Sequence, residues 1–414
     1  MSEPAETAPL GQPQRLSEDS ETGDEHEFAS GAPTVPIAGK TEAGPSKLAK
    51  RSNVDFHDEE PEEKRAAGEH TALVATHYNE IKEGTLDDRS DSKIVYLRNF
   101  NNWVKSIIIN KFLTKVRATV PERTPLKVMD MCCGKGGDLR KWQKGNIAHL
   151  ICTDIADVSL EQCEKRYKEM KPAKDGKLFT AEFIQADATL QQLRTKYEDP
   201  SLTLHVVSCQ FALHYGFESL KQAERMLKNA AECLRQGGYF IGTIADANEI
   251  MKRQRAAGGN EFGNDIYKIT FFCDTDNPPL FGAKYHFKLD GVVDCAEFLI
   301  HFPTLVKLAR KVGLRFVEKM RFDEYYEKSI GQWQVLSERM NALETYPGDT
   351  ARDRSRQQSK PEQYAHVQQF FDGKAPPKVG TLSQQDWEAC TLYLYFAFEK
   401  MKTEWDAKGN PVYS

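Results

Sequence analysis

Three aspartates define the chemistry open to this chain. Asp130, Asp154 and Asp187 each close an apolar run (LKVMD, HLICTD and AEFIQAD), and Asp154 follows Asp130 by twenty-four residues. Between the first two, Gly134, Gly136 and Gly137 crowd into a single turn. A strand ending in an acid, a turn with few Cβ atoms and a helix start let the backbone approach a ligand at the edge of a parallel sheet. A carboxylate at Asp154 can accept from both hydroxyls of a ribose, and one at Asp187 can face an adenine amino group. Taken singly, each is an ordinary strand-end acid. In succession, they point to a bound nucleoside.

The turn narrows the kind of nucleoside. A phosphate-cradling loop needs G-x-x-x-x-G-K-[ST], and no Lys-Ser or Lys-Thr pair follows these glycines. A dinucleotide turn needs G-x-G-x-x-G, and the run GKGGDL (134–139) breaks that pattern. An S-adenosylmethionine site fits better, because Asp130 stands at the strand end, where a carboxylate can organise the turn and face an ammonium group.

The surrounding elements must hold these residues in place. Helical periodicity covers 94–118. Strands are then expected at 126–131, 148–153, 181–186, 203–209 and 238–244, with helices at 137–144, 157–171 and 218–235 between them. The alternation predicts an α/β fold with an open, mostly parallel sheet covered by helices on both faces. From about 246 to 290 the rhythm breaks into two aromatic-rich runs around Asp276, Asn277, Pro278 and Pro279, read as an inserted β region. A helix over 294–312, a strand over 314–321 and a polar helical insertion over 322–370 are expected next. The apolar run CTLYLYFAFEK (390–400) should return as a late antiparallel strand.

Charge divides the 414 residues. Residues 1–92 hold 21 acids against 9 bases, so the overall net charge of −5 conceals a basic body suited to an anionic substrate such as nucleic acid. Residues 1–72 read as a disordered acidic tail and 73–414 as the folded domain, because the tail has too few apolar residues to offset its chain entropy. Within the tail, Lys47, Lys50 and Arg51 form a short basic cluster, either a nuclear address or chance. Neither a bilayer-spanning run nor a signal-peptide core is expected. The nine cysteines are scattered, which reads as reduced core thiols, and no paired C-x-x-C metal motif surrounds Cys132 and Cys133. No metal is expected.

The segments YLRNFNNWVKS (96–106), MDMCCGKGGDL (129–139), ICTDIADVSLEQCEKRY (151–167), SCQFALHYGFES (208–219), PLFGAKYHFKLDGVVDCAEFL (279–299) and LYLYFAFEK (392–400) occur in order. Together they resemble the eukaryotic mRNA cap (guanine-N7) methyltransferases, from about His77 to Lys400. The resemblance implies a class I methyltransferase fold whose inserted β region, at about 246–300, binds the cap. It departs from the family pattern once, where Cys132 takes the place of the first glycine. A Cβ there is tolerated if φ stays negative.

By that resemblance, Lys105, Asp130, Cys132 (through its backbone), Gly134, Asp154, Asp187, Gln210 and Tyr215 would hold S-adenosylmethionine, with S-adenosylhomocysteine as product. Asn101, Asn102, Phe211, His214, Tyr215, Pro279, Tyr285, Glu297 and Tyr393 would form the cap pocket. Aromatic walls would stack on the guanine, and Glu297 would accept from its N1–H and exocyclic amine. Lys135, Lys141 and Arg166 would matter for activity, near the cap triphosphate or by ordering the site, as would His214, Glu297 and Tyr393. N7 carries a lone pair and no proton, so no general base is expected. The implied setting is a monomer in the nucleus acting on 5′-capped mRNA, away from membranes, with capping enzymes and transcribing RNA polymerase II as candidate partners. Two rivals remain: a methyltransferase of this fold acting on another RNA or a small molecule, and a cap-binding scaffold with reduced catalysis.

Overall fold

The computed structural model describes residues 6–7, 62–81, 92–172, 178–370, 378–409 and 411–414. Within the tail expected to be disordered, Glu6 and Thr7 instead pair as a short parallel strand with Val379 and Gly380, while 8–61 and the basic cluster at Lys47, Lys50 and Arg51 lie outside the described residues. Helix α1 (Glu62–Glu80) straddles the boundary expected at residue 72. His70, Thr71 and Val74 are buried there, and Tyr78 lies one further turn along, so one face packs despite the polar composition.

Five parallel strands form the centre: β1 (Lys127–Met131), β2 (His149–Asp154), β3 (Thr180–Gln185), β4 (Leu204–Gln210) and β5 (Leu234–Ala245). They lie in the order β3-β2-β1-β4-β5, which places the chain reversal at β1 and β4. Ligands of such sheets bind outside the strand carboxyl ends at that reversal. The strands are linked through α3 (Leu139–Lys144), α4 (Asp157–Lys168) and α5 (Leu220–Ala231), while α2 (Val95–Arg117) precedes β1.

The inserted region follows α6 (Ala247–Ala257) and contains β6 (Glu261–Gly263), β7 (Tyr267–Phe271), β8 (Lys284–Leu289) and β9 (Val293–Phe298). These four pair antiparallel in sequence order. The helix expected over 294–312 is therefore corrected: 293–298 is a strand, and α7 spans only Phe302–Lys311. Cys295 and Glu297 alternate onto one buried side of β9, a period of two, and Pro303 is placed in the first turn of α7. Next come β10 (Leu314–Arg321), α8 (Phe322–Arg339) and the late strand β11 (Tyr393–Lys400). As expected, β11 runs antiparallel, between β5 and β10.

The pleat sorts the core into two layers. Val206, Ile241, Tyr395 and Ala397 face one hydrophobic cluster, which includes α2, whereas Val207, Phe240, Phe396 and Phe398 face the other, which includes α5 and α7. Because the sheet is covered on both faces, its open edge at the carboxyl ends is what remains for a ligand.

Candidate active site

A cavity of about 340 Å³ opens at that edge. Its walls come from the β1 turn, the ends of β2 and β4, α1, α2, the inserted sheet and β11. On α2, Arg98, Asn101, Asn102 and Lys105 follow the i, i+3, i+4, i+7 spacing of one helix face, and all four line the cavity. The opposite side of the helix buries Phe100, Trp103, Val104 and Ile107.

The turn is held from beneath by Asp154. Its Oδ2 accepts from the Gly134 N–H at 2.7 Å and its Oδ1 from the Ala156 N–H at 2.9 Å. Burial nonetheless pushes this carboxyl up to about 6, and these backbone donors only partly offset the loss of water. Gly134 has φ of +51° and Cys132 of +60°. The condition of negative φ at Cys132 is thus not met, and a residue with a Cβ occupies the left-handed region at the cavity wall. Asp187 Oδ1 accepts from the backbone N–H and hydroxyl of Thr189, at 2.8 and 2.6 Å.

The cavity also gathers Phe211, His214, Tyr215, Glu297 and Tyr393. Phe211 meets the Tyr393 ring edge-on, with centroids 4.9 Å apart. Its own backbone is left-handed (φ +58°), pinned by an N–H donated to the Thr243 carbonyl at 3.0 Å. Glu297 Oε2 accepts from the Tyr285 hydroxyl at 2.6 Å, and Glu297 Oε1 lies 3.4 Å from His214 Nε2 without hydrogen-bond geometry. Burial acts oppositely on these two groups, raising Glu297 to about 7 and lowering His214 to about 3. The imidazole is neutral near pH 7.

Thirteen expected residues meet in this one cavity: Asn101, Asn102, Lys105, Cys132, Gly134, Asp154, Asp187, Gln210, Phe211, His214, Tyr215, Glu297 and Tyr393. Six do not line it. The pleat turns Asp130 with Val128 toward α3, where its carboxylate accepts from Trp142 Nε1 at 3.1 Å and burial raises it to about 8. Pro279 is exposed on the connection from β7 to β8. Tyr285 is buried behind Glu297. Lys135 Nζ donates to the Ile81 carbonyl at 2.6 Å and Arg166 Nη1 to the Lys135 carbonyl at 2.7 Å, joining the turn to α1 and α4. Lys141 Nζ donates to Asn102 Oδ1 at 3.0 Å.

Sequence reasoning missed two contributors. Asp138 binds both Lys141 and Lys105 through Oδ1, at 2.7 and 2.9 Å, and these ammonium groups hold its carboxyl far below the usual range. It lay inside the recognised turn, next to Gly137, where any acid could have been flagged for capturing a lysine. Helix α1 brings Thr71, Val74 and Tyr78 to the cavity, and the Tyr78 and Tyr215 hydroxyls are 2.9 Å apart. The spacing of three and four residues between Thr71, Val74 and Tyr78 was the available signal.

Among the described residues, the buried Asn101 Oδ1, Gln210 Oε1 and both ring nitrogens of His214 have no hydrogen-bond partner, which fits a polar, base-bearing guest. With Asp154 and Asp187 beside the turn, the donor and acceptor set suits S-adenosylmethionine.

A family model described as the mRNA (guanine-N(7))-methyltransferase domain matches residues 61–401. The chain is 51% identical over 349 residues to the mRNA cap guanine-N(7) methyltransferase of Drosophila melanogaster, covering 83% of this chain and 80% of the fly protein. It is 38% identical over 335 residues to the protein of the same name in Caenorhabditis elegans, covering 80% and 87%. Among solved structures, an S-adenosylmethionine-dependent methyltransferase from Clostridium acetobutylicum is 12% identical with a TM-score of 0.35, over 61% of this chain and 90% of that one.

Proposed function

From the premise that this chain belongs to the mRNA cap (guanine-N7) methyltransferase family, and so methylates N7 of the cap guanosine from S-adenosylmethionine, we propose how its cavity divides the work. The observation that carries the reading is a buried carboxylate, Glu297, fixed by Tyr285 beside the Phe211 and Tyr393 rings.

Asp154, Asp187 and Gln210 would hold the nucleoside of the cofactor, and Lys105 would face the carboxylate of its methionine portion. Phe211 and Tyr393 form one aromatic wall against the guanine, Asn101 and Asn102 meet the cap, and Glu297 accepts from the guanine N1–H and amine. S-adenosylmethionine, when bound, supplies an electrophilic sulfonium methyl. Its methyl would pass to the N7 lone pair, one N–C bond forming as one S–C bond breaks with its electrons left on sulfur and no proton to move. The residues of the cavity therefore need only align the two partners and exclude water. Ionised Glu297 also favours the positive charge appearing on the guanine. No protein base and no metal enters the step, because the nucleophile is proton-free and the leaving group already carries its activating charge. His214 is a neutral contact at the base edge. Lys135, Lys141 and Arg166 order the turn.

The reading extends to a nuclear enzyme acting as a monomer on 5′-capped pre-mRNA alongside capping enzymes and RNA polymerase II. Its test is methyl transfer from labelled S-adenosylmethionine to GpppA-capped and uncapped RNA, with Glu297→Ala as control. Label should appear on guanine N7 of capped RNA only and be lost in the control. Cofactor binding without transfer to the cap would overturn it.

A further inference from the structure

Three thiols beneath the turn take no part in the transfer. Cys133 comes from the turn, Cys152 from β2 and Cys163 from α4, and their sulfurs all lie within 4.8 Å of one another. The Cys152 and Cys163 sulfurs are 4.0 Å apart. Both residues are fully buried, whereas Cys133 is half-buried and lines the cavity.

We propose that these three sulfurs form a binding site for one thiophilic closed-shell cation of the Zn²⁺ and Cd²⁺ class, entered through the cavity. A Zn–S bond of about 2.3 Å sets sulfurs roughly 3.8 Å apart in a tetrahedral site and about 4.0 Å apart in a planar one. Side-chain adjustments below an ångström therefore close the site. A donor set of sulfur alone selects a soft ion over Mg²⁺, Ca²⁺ or Mn²⁺. On binding, each thiol gives its proton to water and forms one sulfur–metal bond, with no change of oxidation state. Three thiolates and one divalent ion leave a single negative charge, which Arg166, three residues beyond Cys163 on α4, lies close enough to offset. Water from the cavity can complete a fourth position beside Cys133.

Such an ion would tie the turn to β2 and α4. The tie is next to Gly134, whose N–H reaches Asp154, so the ion is structural and separate from methyl transfer. Cys163 already meets the turn, since a Cβ placed on Gly136 would come within 2.7 Å of its sulfur.

The test is anaerobic titration of the reduced full-length protein with Cd²⁺, read by the ultraviolet thiolate charge-transfer band and by native mass spectrometry. One ion per chain is expected, with affinity reduced at least tenfold in Cys152→Ser and in Cys163→Ser but retained in Cys233→Ser, which lies outside the cluster. Circular dichroism checks that each variant is folded. Should the buried serines prevent folding, X-ray absorption of the Zn²⁺-loaded wild-type protein decides, with three sulfur neighbours expected at about 2.3 Å. Prior addition of S-adenosylhomocysteine should slow uptake. An unaltered Cd²⁺ band in folded Cys163→Ser, or fewer than three sulfur neighbours, overturns the proposal. Neither outcome bears on cap methylation.

Discussion

Tyr285 and Glu297 face each other across the β8–β9 pair, and the tyrosine hydroxyl donates to Glu297 Oε2 at 2.6 Å. Tyr285 is 1% exposed, so its hydroxyl has no water to turn to, and the carboxylate is fixed from behind. One oxygen is thereby oriented while Oε1 remains on the His214 side. A hydrogen bond to a charged group is worth about 1.5–3 kcal/mol. Tyr285→Phe should therefore lower kcat/KM for capped RNA roughly ten- to a hundredfold and leave S-adenosylhomocysteine affinity unchanged. Steady-state kinetics in both substrates check this, and an equal loss in both would show general damage to the pocket instead.

The pH dependence follows from the same carboxyl. Glu297 must be ionised to accept from guanine, and burial holds it at about 7, so kcat/KM should fall as pH drops through neutrality with the slope of one proton. His214, lowered to about 3, cannot produce that limb. Glu297→Gln should remove the limb along with most activity. Stability moves the other way. The folded carboxyl holds its proton more tightly than the unfolded one at 4.5, so ionising it opposes folding, and stability falls as pH rises from about 4.5 to about 7. The loss approaches about 3.5 kcal/mol at most, taken as about 1.4 kcal/mol per pH unit across that window. Urea unfolding at pH 5 and pH 8 should show Glu297→Gln gaining on wild type at the higher pH.

The sheet was legible because its strands are apolar runs, the first two closed by Asp130 and Asp154, and β1, β2 and β4 formed within one residue of their expected positions. What misled was a buried polar residue. Glu297 sits in VDCAEF, where inward Cys295 and Glu297 carry the alternation, and neither is apolar enough to mark a strand. Asp130 kept the right place in sequence but the wrong side of the pleat, since strand ends alone do not say which face a side chain takes. Helix α1 was hidden by its setting, an acidic stretch whose few inward residues gain meaning only against Tyr215 and Phe298.

Asp138 joins two cations that would otherwise repel. Its side chain is 5% exposed, and those of Lys105 and Lys141 are 13% and 10%. Removing one partner from a buried ion network costs about 3–5 kcal/mol. Asp138→Asn should lose stability on that scale and bind S-adenosylhomocysteine more weakly as Lys105 moves. Adding Lys141→Met should restore part of the stability, because it removes one of the two unpaired charges. A double-mutant cycle without such recovery would separate Asp138 from Lys141.

Cys132 has φ of +60°, a conformation that costs an L-residue about 1–2 kcal/mol. Glycine removes that strain and regains flexibility in the unfolded chain worth about 0.5–1 kcal/mol. Cys132→Gly should therefore stabilise the protein by up to about 1 kcal/mol, seen as a higher urea midpoint at unchanged slope. A lower midpoint would mean that the thiol's packing against the second core layer outweighs the backbone strain.

Truncation at the amino end tests α1 as a wall of the active site. Residues 1–61 precede the helix, and their removal should leave methyl transfer to a short capped RNA within about twofold of the full chain, given a self-sufficient folded body. Removal through residue 81 takes away Thr71, Val74 and Tyr78 from the cavity, the Tyr78–Tyr215 contact, and the Ile81 carbonyl that receives Lys135. It also leaves Phe298 without the His70 ring, 4.9 Å away. The longer deletion should lose activity at least a hundredfold, about 3 kcal/mol of transition-state stabilisation, while circular dichroism shows the central sheet still folded. Equal activity of the two truncations would place α1 outside the catalytic unit.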